Sequence, residues 1–96
     1  MTGTSSKLDL TKVERNAVLL INGQRYQVVQ NTSCFFDKDK QELEMVLEMY
    51  RKGEDYLMPR FRLFYVREHP DKALRFKEWT PEGEHELELD SVELIG

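Results

Sequence analysis

The chain has 96 residues, of which 40% are hydrophobic and 33% charged, and its formal net charge is −4. A chain of this length buries about 60–65% of the surface that it exposes when unfolded, which is enough for one core and one domain. The negative charge argues against general affinity for nucleic acids or membrane surfaces, and no apolar run approaches the roughly 20 residues that span a bilayer. The first ten residues lack the apolar stretch of a secretion signal, so we expect a cytoplasmic protein without membrane contact.

The N-terminal residues divide into a polar start and a possible short turn. Residues 1–8 are small and polar and predict a disordered tail, which leaves 9–96 as a single β domain. Thr11, followed by Glu14 three positions later, is a pattern that caps a short helical turn.

Asn22-Gly23 predicts the first hairpin. The pair lies between the apolar runs "AVLLI" and "QRYQVV", and a type I′ turn requires positive φ at both central residues, which Asn and Gly tolerate. A two-residue loop places Ile21 opposite Gln24 and Leu19 opposite Tyr26.

The segment "ELEMVLEMYRKGE", residues 42–54, fits two structures. As a helix over about 40–52 it would place Leu43, Val46, Leu47 and Tyr50 on one face, giving an α+β fold with the helix packed on an antiparallel sheet. As a strand it alternates, and a hairpin with the following segment would bring Met45 opposite Phe61 and Glu44 opposite Arg62.

The strand interpretation is preferred because apolar side chains then meet apolar ones and opposite charges meet on the other face. It has one difficulty. Pro59 falls opposite Leu47, where a strand needs a backbone N–H, so a bulge or break is required there.

Two later hairpins complete the sheet. A turn at residues 69–72 would place Tyr65 opposite Phe76 and Arg62 opposite Trp79. A type I turn at Thr80-Pro81-Glu82-Gly83 would place Phe76 opposite Leu87, Lys77 opposite Glu86 and Arg75 opposite Glu88. Asp90-Ser91 is then a corner that leads into a short closing strand at residues 92–95.

The predicted fold is mainly β. It is a small antiparallel meander of about six or seven strands, rolled into a barrel or half-barrel so that its apolar face is covered.

Charge is distributed unevenly along this meander. Residues 51–77 carry eight Lys or Arg against four Asp or Glu, a net of +4, whereas residues 78–96 carry seven acids and no base, a net of −7. In the predicted registers the acidic strand lies beside the basic one. We therefore expect the bases to be neutralised within the sheet, which removes the field that attracts a phosphate backbone.

The candidate interaction face combines aromatic and cationic residues on the charged side of the sheet: Arg62, Phe64, Arg75, Lys77 and Trp79. A tryptophan beside arginine is typical of a protein-binding hot spot, so we expect a protein partner or self-association through this face or through an edge strand. The alternative is single-stranded nucleic-acid binding by a small barrel, with Phe64, Tyr65 and Trp79 stacking on bases.

No residue pattern predicts catalysis, a metal site or a cofactor. Cys34, the only cysteine, lies beside Phe35 and Phe36 and is expected to be a small buried apolar residue. His69 and His85 match no zinc-binding spacing, and the sequence contains no Gly-rich phosphate loop. We therefore expect a protein that is not an enzyme.

Overall fold

The computed structural model describes residues 8–53 and 59–95. Its seven strands form one antiparallel sheet in the spatial order β6-β5-β4-β3-β2-β1-β7. The strands are β1 (Val18–Ile21), β2 (Gln24–Asp37), β3 (Glu42–Arg51), β4 (Phe61–Val66), β5 (His69–Thr80), β6 (Gly83–Leu87) and β7 (Val92–Leu94). The mainly β prediction is confirmed. The α+β alternative is wrong, because its proposed helix is strand β3.

The sheet is strongly curved, although it is not closed. Strands β6 and β7 are its two edges, yet only residues 88–91 separate them in the chain. In a flat sheet of seven strands the edges would be about 29 Å apart, from six spacings of about 4.8 Å. Five extended residue steps reach at most about 18 Å. The sheet must therefore roll to bring its edges together, as the half-barrel prediction required.

The side chain of Asn22 fastens the corner at residues 88–91 to the first hairpin turn. Its Nδ2 donates to the carbonyl oxygen of Glu88 at 2.7 Å, and its Oδ1 accepts from the backbone N–H groups of Asp90 at 2.7 Å and Ser91 at 3.2 Å. Its own backbone N–H donates to the Ser91 carbonyl at 3.0 Å. Asn22 and Gly23 have φ values of 52° and 82°, which confirms the predicted type I′ geometry.

The concave inner face of the sheet carries the core. Rings of three strands form its centre: Tyr26 packs edge-on against Phe61 and Phe76 at 4.9 and 5.4 Å between centroids, and Phe61 stacks on Phe76 at 5.9 Å. Such aromatic pairs add about 0.5–1.5 kcal/mol each beyond the area that they bury. The other fully buried members are Leu10, Leu19, Ile21, Val28, Leu47, Met49, Leu63 and Tyr65.

A short 3₁₀ turn, Leu10–Lys12, packs onto this core. Its cap is Asp9, whose carboxylate accepts from the Thr11 N–H at 3.1 Å, so the Thr11–Glu14 cap expected from the sequence is wrong. Leu8 also packs against the core. The other residues of the predicted tail, 1–7, lie outside the described residues.

A partly buried polar network holds the 3₁₀ turn in place. The hydroxyl of Tyr65 donates to Asn31 Oδ1 at 2.9 Å, and Asn31 Nδ2 donates to the carbonyls of Leu10 at 3.0 Å and Val13 at 3.1 Å. Burial raises the pKa of the Tyr65 hydroxyl above its ordinary value. The network supplies partners for polar groups whose burial would otherwise be costly.

The pairing of β3 with β4 differs from the predicted register by four residues. Met49 lies opposite Phe61, Leu47 opposite Leu63, and Glu48 opposite Arg62. The predicted partners of Phe61 and Arg62, which were Met45 and Glu44, lie four residues before the observed partners on β3 and on the same sides of the sheet. The observed register places Pro59 before β4 begins, so the break required by the sequence interpretation is not needed.

The turn between β4 and β5 lies at Arg67-Glu68 rather than at residues 69–72. Glu68 fixes it there: Oε1 accepts from the Leu43 N–H at 2.9 Å, while Oε2 accepts from the Arg67 guanidinium at 2.7 Å. These bonds hold the pKa of Glu68 below its ordinary value. Two register irregularities follow the turn, at Phe64/Tyr65 and at Tyr65/Val66. Beyond them the register differs from the predicted one by two residues, so that Arg62 lies opposite Lys77 and Leu63 opposite Phe76.

The last predicted hairpin is confirmed. Thr80 pairs with Gly83, Lys77 with Glu86, and Phe76 with Leu87. Strand β6 ends at Leu87, however, so the predicted pairing of Arg75 with Glu88 is wrong.

The corner can be tested by replacing Asn22 with glycine, which keeps the left-handed backbone accessible but removes the side-chain bonds. We expect Asn22→Gly to lower the free energy of unfolding by about 1–3 kcal/mol, the usual range for a few partly exposed hydrogen bonds. Asn22→Ala should cost about 1 kcal/mol more, because alanine disfavours positive φ. Chemical denaturation measures both changes.

Asn16→Gly is the matched control. Asn16 also has positive φ, at 75°, but among the described residues its side chain makes a single hydrogen bond, which it accepts from Gln27 at 3.2 Å. If Asn22→Gly is no more destabilising than Asn16→Gly, the Asn22 side chain does not hold the corner.

Candidate interaction face

The five residues of the predicted face lie together on the convex outer side of the sheet. Arg62 and Phe64 alternate with the buried residues of β4, and the other three lie on β5. Arg62 is directly opposite Lys77, and Phe64 is opposite Arg75. Both corrections of register were by even numbers of residues, so neither moved a side chain to the other side of the sheet.

Phe64 is covered by cationic side chains. The Arg75 guanidinium carbon lies 5.0 Å and Lys77 Nζ 5.6 Å from the centroid of its ring. Both distances are within the range of cation–π attraction. The ring of Phe64 is therefore a packing platform for its neighbours rather than an open surface.

The cations of the face are paired with carboxylates on neighbouring strands. Arg75 reaches across β4 to Glu44 at 2.9 Å. Arg62 lies between Glu48 at 3.5 Å and Glu84 at 3.4 Å. Exposed pairs of this kind contribute about 0–1 kcal/mol each to stability, but they cancel the local positive potential.

The expected neutralisation of the cations is present, but it comes mostly from acids other than those predicted. Lys77 pairs with Glu84 at 3.6 Å, whereas its strand partner Glu86 makes no ion pair with any described residue. The predicted masking by Glu86 and Glu88 is therefore wrong. Long side chains can pair with a diagonal neighbour instead of the residue directly opposite, as Lys77 does with Glu84. Strand β3 is next to β4, whereas β6 is one strand further away, so acids of β3 also reach the cations.

Trp79 differs from the rest of the face because half of it is exposed, with a relative accessibility of 49%. This exposure agrees with the assignment of Trp79 to the candidate interaction face rather than to the core. Its ring borders a groove of about 550 Å³ between the beginning of β4 and the end of β5, whose walls include Pro59 and Pro81. Arg60 crosses the groove to Glu78 at 2.9 Å. The groove thus combines apolar walls with charged groups that are already paired.

A second group of exposed apolar residues, which the sequence interpretation missed, lies at the other end of the outer side. Phe35 and Leu74 are 61% and 52% exposed and border a shared groove with Val66. Strand β2 extends well beyond the short β1, so its second half lacks that neighbour. The run "CFF" departs from the alternation of apolar and polar residues in a regular strand, and this departure could have indicated an irregular end of the sheet.

Cys34 is exposed, so the prediction of a buried residue is wrong. It is the extra residue of a bulge, because Ser33 pairs with Met45 while Phe35 pairs with the very next residue, Glu44. The thiol lies 3.7 Å from a Glu44 carboxylate oxygen. Partial desolvation and the adjacent Glu44 raise the pKa of the Cys34 thiol, which opposes formation of a nucleophilic thiolate.

The two histidines make separate polar contacts. His69 Nε2 lies 3.2 Å from a Glu42 carboxylate oxygen, and His85 Nε2 lies 2.9 Å from the Thr80 hydroxyl. Over residues 8–53 and 59–95, no group of three or more His, Cys, Asp or Glu side chains is arranged to hold a metal ion. None of the helical residues described forms a segment long and apolar enough to cross a bilayer.

Comparisons with known proteins found no matching family model, no matching curated protein and no matching solved structure.

The masking of the cations predicts a latent affinity for polyanions. The triple variant Glu44→Gln, Glu48→Gln and Glu84→Gln removes three paired carboxylates from the outer side. The variant should be retained on heparin at low salt and released near physiological salt, since counterion release drives such binding. The unaltered protein should elute early.

The control for this experiment is the triple variant Glu14→Gln, Glu88→Gln and Glu93→Gln. It changes the net charge equally, but its acids make no ion pairs with the cations of the face. Equal retention of both variants, or tight salt-resistant retention of the unaltered protein, would contradict local masking.

The raised pKa of Cys34 predicts slow alkylation. Iodoacetamide should react more slowly with Cys34 than with a free thiol at pH 8, because less thiolate is present. Glu44→Gln removes a charge and an acceptor that favour the protonated thiol, so the rate should rise by about 2- to 10-fold. Glu48→Gln, on the same strand but away from the thiol, should leave the rate unchanged. An unaltered rate in Glu44→Gln would show that Glu44 does not control the thiol.

Proposed function

We propose that this domain is a non-catalytic interaction module that binds a protein partner through the outer side of its sheet around Trp79. The observation that carries the proposal is the half-exposed indole at the edge of a groove. Its apolar walls include Pro59 and Pro81. A large aromatic ring in a concave site gives a partner much apolar area to bury at a low cost in side-chain entropy.

The surroundings of Trp79 support this role because they are ordered in advance. Arg60 is held by Glu78, and Arg62 by two carboxylates. Side chains that are already fixed lose less conformational entropy when a partner binds. Their charges are also already paired, so little charge remains unpaired when water is removed.

Single-stranded nucleic-acid binding is the second candidate, and the geometry favours it less. Of the three rings expected to stack on bases, Tyr65 is fully buried in the core and Phe64 lies under Arg75 and Lys77. Only Trp79 remains open. The ion pairs of the arginines also reduce the positive potential that phosphates require.

The proposal of a non-catalytic, cytoplasmic module has two further supports. The raised pKa of Cys34 disfavours its use as a nucleophile. An exposed free thiol is stable in a reducing compartment, which is consistent with the cytoplasm.

The proposal predicts that Trp79→Ala loses a partner that the unaltered protein retains. Affinity capture from a lysate of the source cells, quantified by mass spectrometry, should show at least a tenfold loss of specific partners, as expected for a hot-spot residue. The half-buried indole also contributes to stability, by about 1–3 kcal/mol, so the fold of each variant is checked by circular dichroism. Trp79→Leu retains much of the buried apolar contact and should also lose the partner.

Leu74→Ala is the matched control, because Leu74 is similarly exposed on the same strand but lies at the other end of the outer side. It should retain the partner. Retention by all variants, or equal loss in Trp79→Ala and Leu74→Ala, would exclude Trp79 as the centre of the binding surface.

A further inference from the structure

We propose that the Trp79 groove takes a basic, extended peptide segment of a partner protein, with a Lys or Arg side chain placed over the indole ring. This inference rests on the proposed function and specifies the chemistry of its ligand. It follows from the distribution of cations over the aromatic rings and from the charge at the rim of the groove.

The rings of the sheet differ in whether the chain itself supplies a cation. Phe64 is covered by Arg75 and Lys77, and Phe61 by Arg51 and Arg60 at 4.9 Å each. Within residues 8–53 and 59–95, no cation lies over Trp79. Tryptophan is the strongest cation–π acceptor among the side chains. Trp79 is thus exposed, has no cation of the described chain over it, and has the ring best suited to bind one.

The charge at the groove favours the same ligand. The walls of the groove are balanced in charge, since Arg60 pairs with Glu78 and Arg62 with Glu48. Beside the groove, Glu84 pairs with Arg62 and Lys77. The rim formed by the β5–β6 turn and β6 adds Glu82 and Glu86, which make no ion pair with any described residue. Two surplus carboxylates beside an open indole repel an acidic ligand and attract a basic one.

The geometry of β6 favours a peptide over a small cation. Glu84 lies directly opposite Trp79, and Glu86 follows two residues later on the same side of the strand. Their Cα atoms are therefore about 7 Å apart, which is also the spacing of alternate side chains in an extended peptide. β6 is an edge strand, so its outward backbone groups are available to such a segment. One basic side chain can meet the indole while the next meets the rim.

Trp79 is the only tryptophan, so its fluorescence reports directly on the groove. The probes are three synthetic peptides of equal length: one with Lys and Arg at alternate positions, one with Glu at the same positions, and a neutral one with Ser there. At low salt only the basic peptide should change the emission of Trp79 with a saturable dependence on concentration. Labelled peptides and fluorescence anisotropy give the same affinities for variants that lack tryptophan.

Two variants test the contacts. Trp79→Ala should weaken binding of the basic peptide by about tenfold or more, and Trp79→Phe by less, because phenylalanine keeps an aromatic face. Glu82→Gln with Glu86→Gln should weaken it by about 3- to 30-fold, as expected for the loss of two exposed charge pairs. The control is Glu88→Gln with Glu93→Gln, which changes the net charge equally away from the groove and should have little effect.

Several results would overturn the inference. They are equal binding of the neutral or acidic peptide, absence of saturable binding of the basic one, and equal weakening by the rim and control variants. Binding of a single-stranded oligonucleotide at Trp79 in place of the basic peptide would overturn it as well. If the Trp79→Ala variant loses its captured partner but no basic peptide binds, the proposed function stands and the partner's chemistry is different. If basic peptides bind but Trp79→Ala does not affect capture of the partner, the proposed function is wrong, while the affinity of the groove for basic peptides stands.

Discussion

The short connection between the two edges of the sheet is the constraint on which the rest of the structure depends. Residues 88–91 cannot cross a flat sheet, so the sheet rolls, and Asn22 holds the corner through three side-chain hydrogen bonds. Rolling creates a concave side that buries a compact aromatic core and a convex side that stays in solvent. Over the residues that the structure describes, the core is gained in this way from a single sheet, with one 3₁₀ turn and no α-helix packed against it.

The convex side shows how paired charges can prepare a surface without strongly stabilising the protein. Each cross-strand ion pair is worth little free energy because water screens it. Together the pairs fix the positions of Arg60 and Arg62 and suppress the potential that would attract phosphate. What remains open is the indole of Trp79, bordered by proline and by surplus carboxylates. The proposed recognition of a basic peptide follows from this division between satisfied and unsatisfied groups.

The exposed apolar residues at the opposite end of the convex side have a different structural cause. The bulge at Cys34 and the length of β2 beyond β1 leave Phe35 exposed there. Charges of both signs line the groove at this end, Lys40 and Lys72 together with Asp37, Glu42 and Glu44, of which Glu44 is paired with Arg75. The two ends of the sheet therefore differ in character: one is aromatic with an acidic rim, and the other is apolar with mixed charges.

The sequence by itself determined the two turns with specific backbone requirements, Asn22-Gly23 and Thr80–Gly83, and the side of the sheet on which the residues of the interaction face lie. Turn chemistry is local, and side-chain alternation survives any register shift of an even number of residues. Only the tertiary structure decided the registers of β4 with its two neighbours, because shifts of two or four residues satisfy the same alternating pattern. Non-local contacts made that choice, through the packing of Phe61 in the core and the bonds of Glu68 to β3. The ion-pair partners and the exposure of Cys34 followed from those registers and from a bulge, which no local pattern specifies.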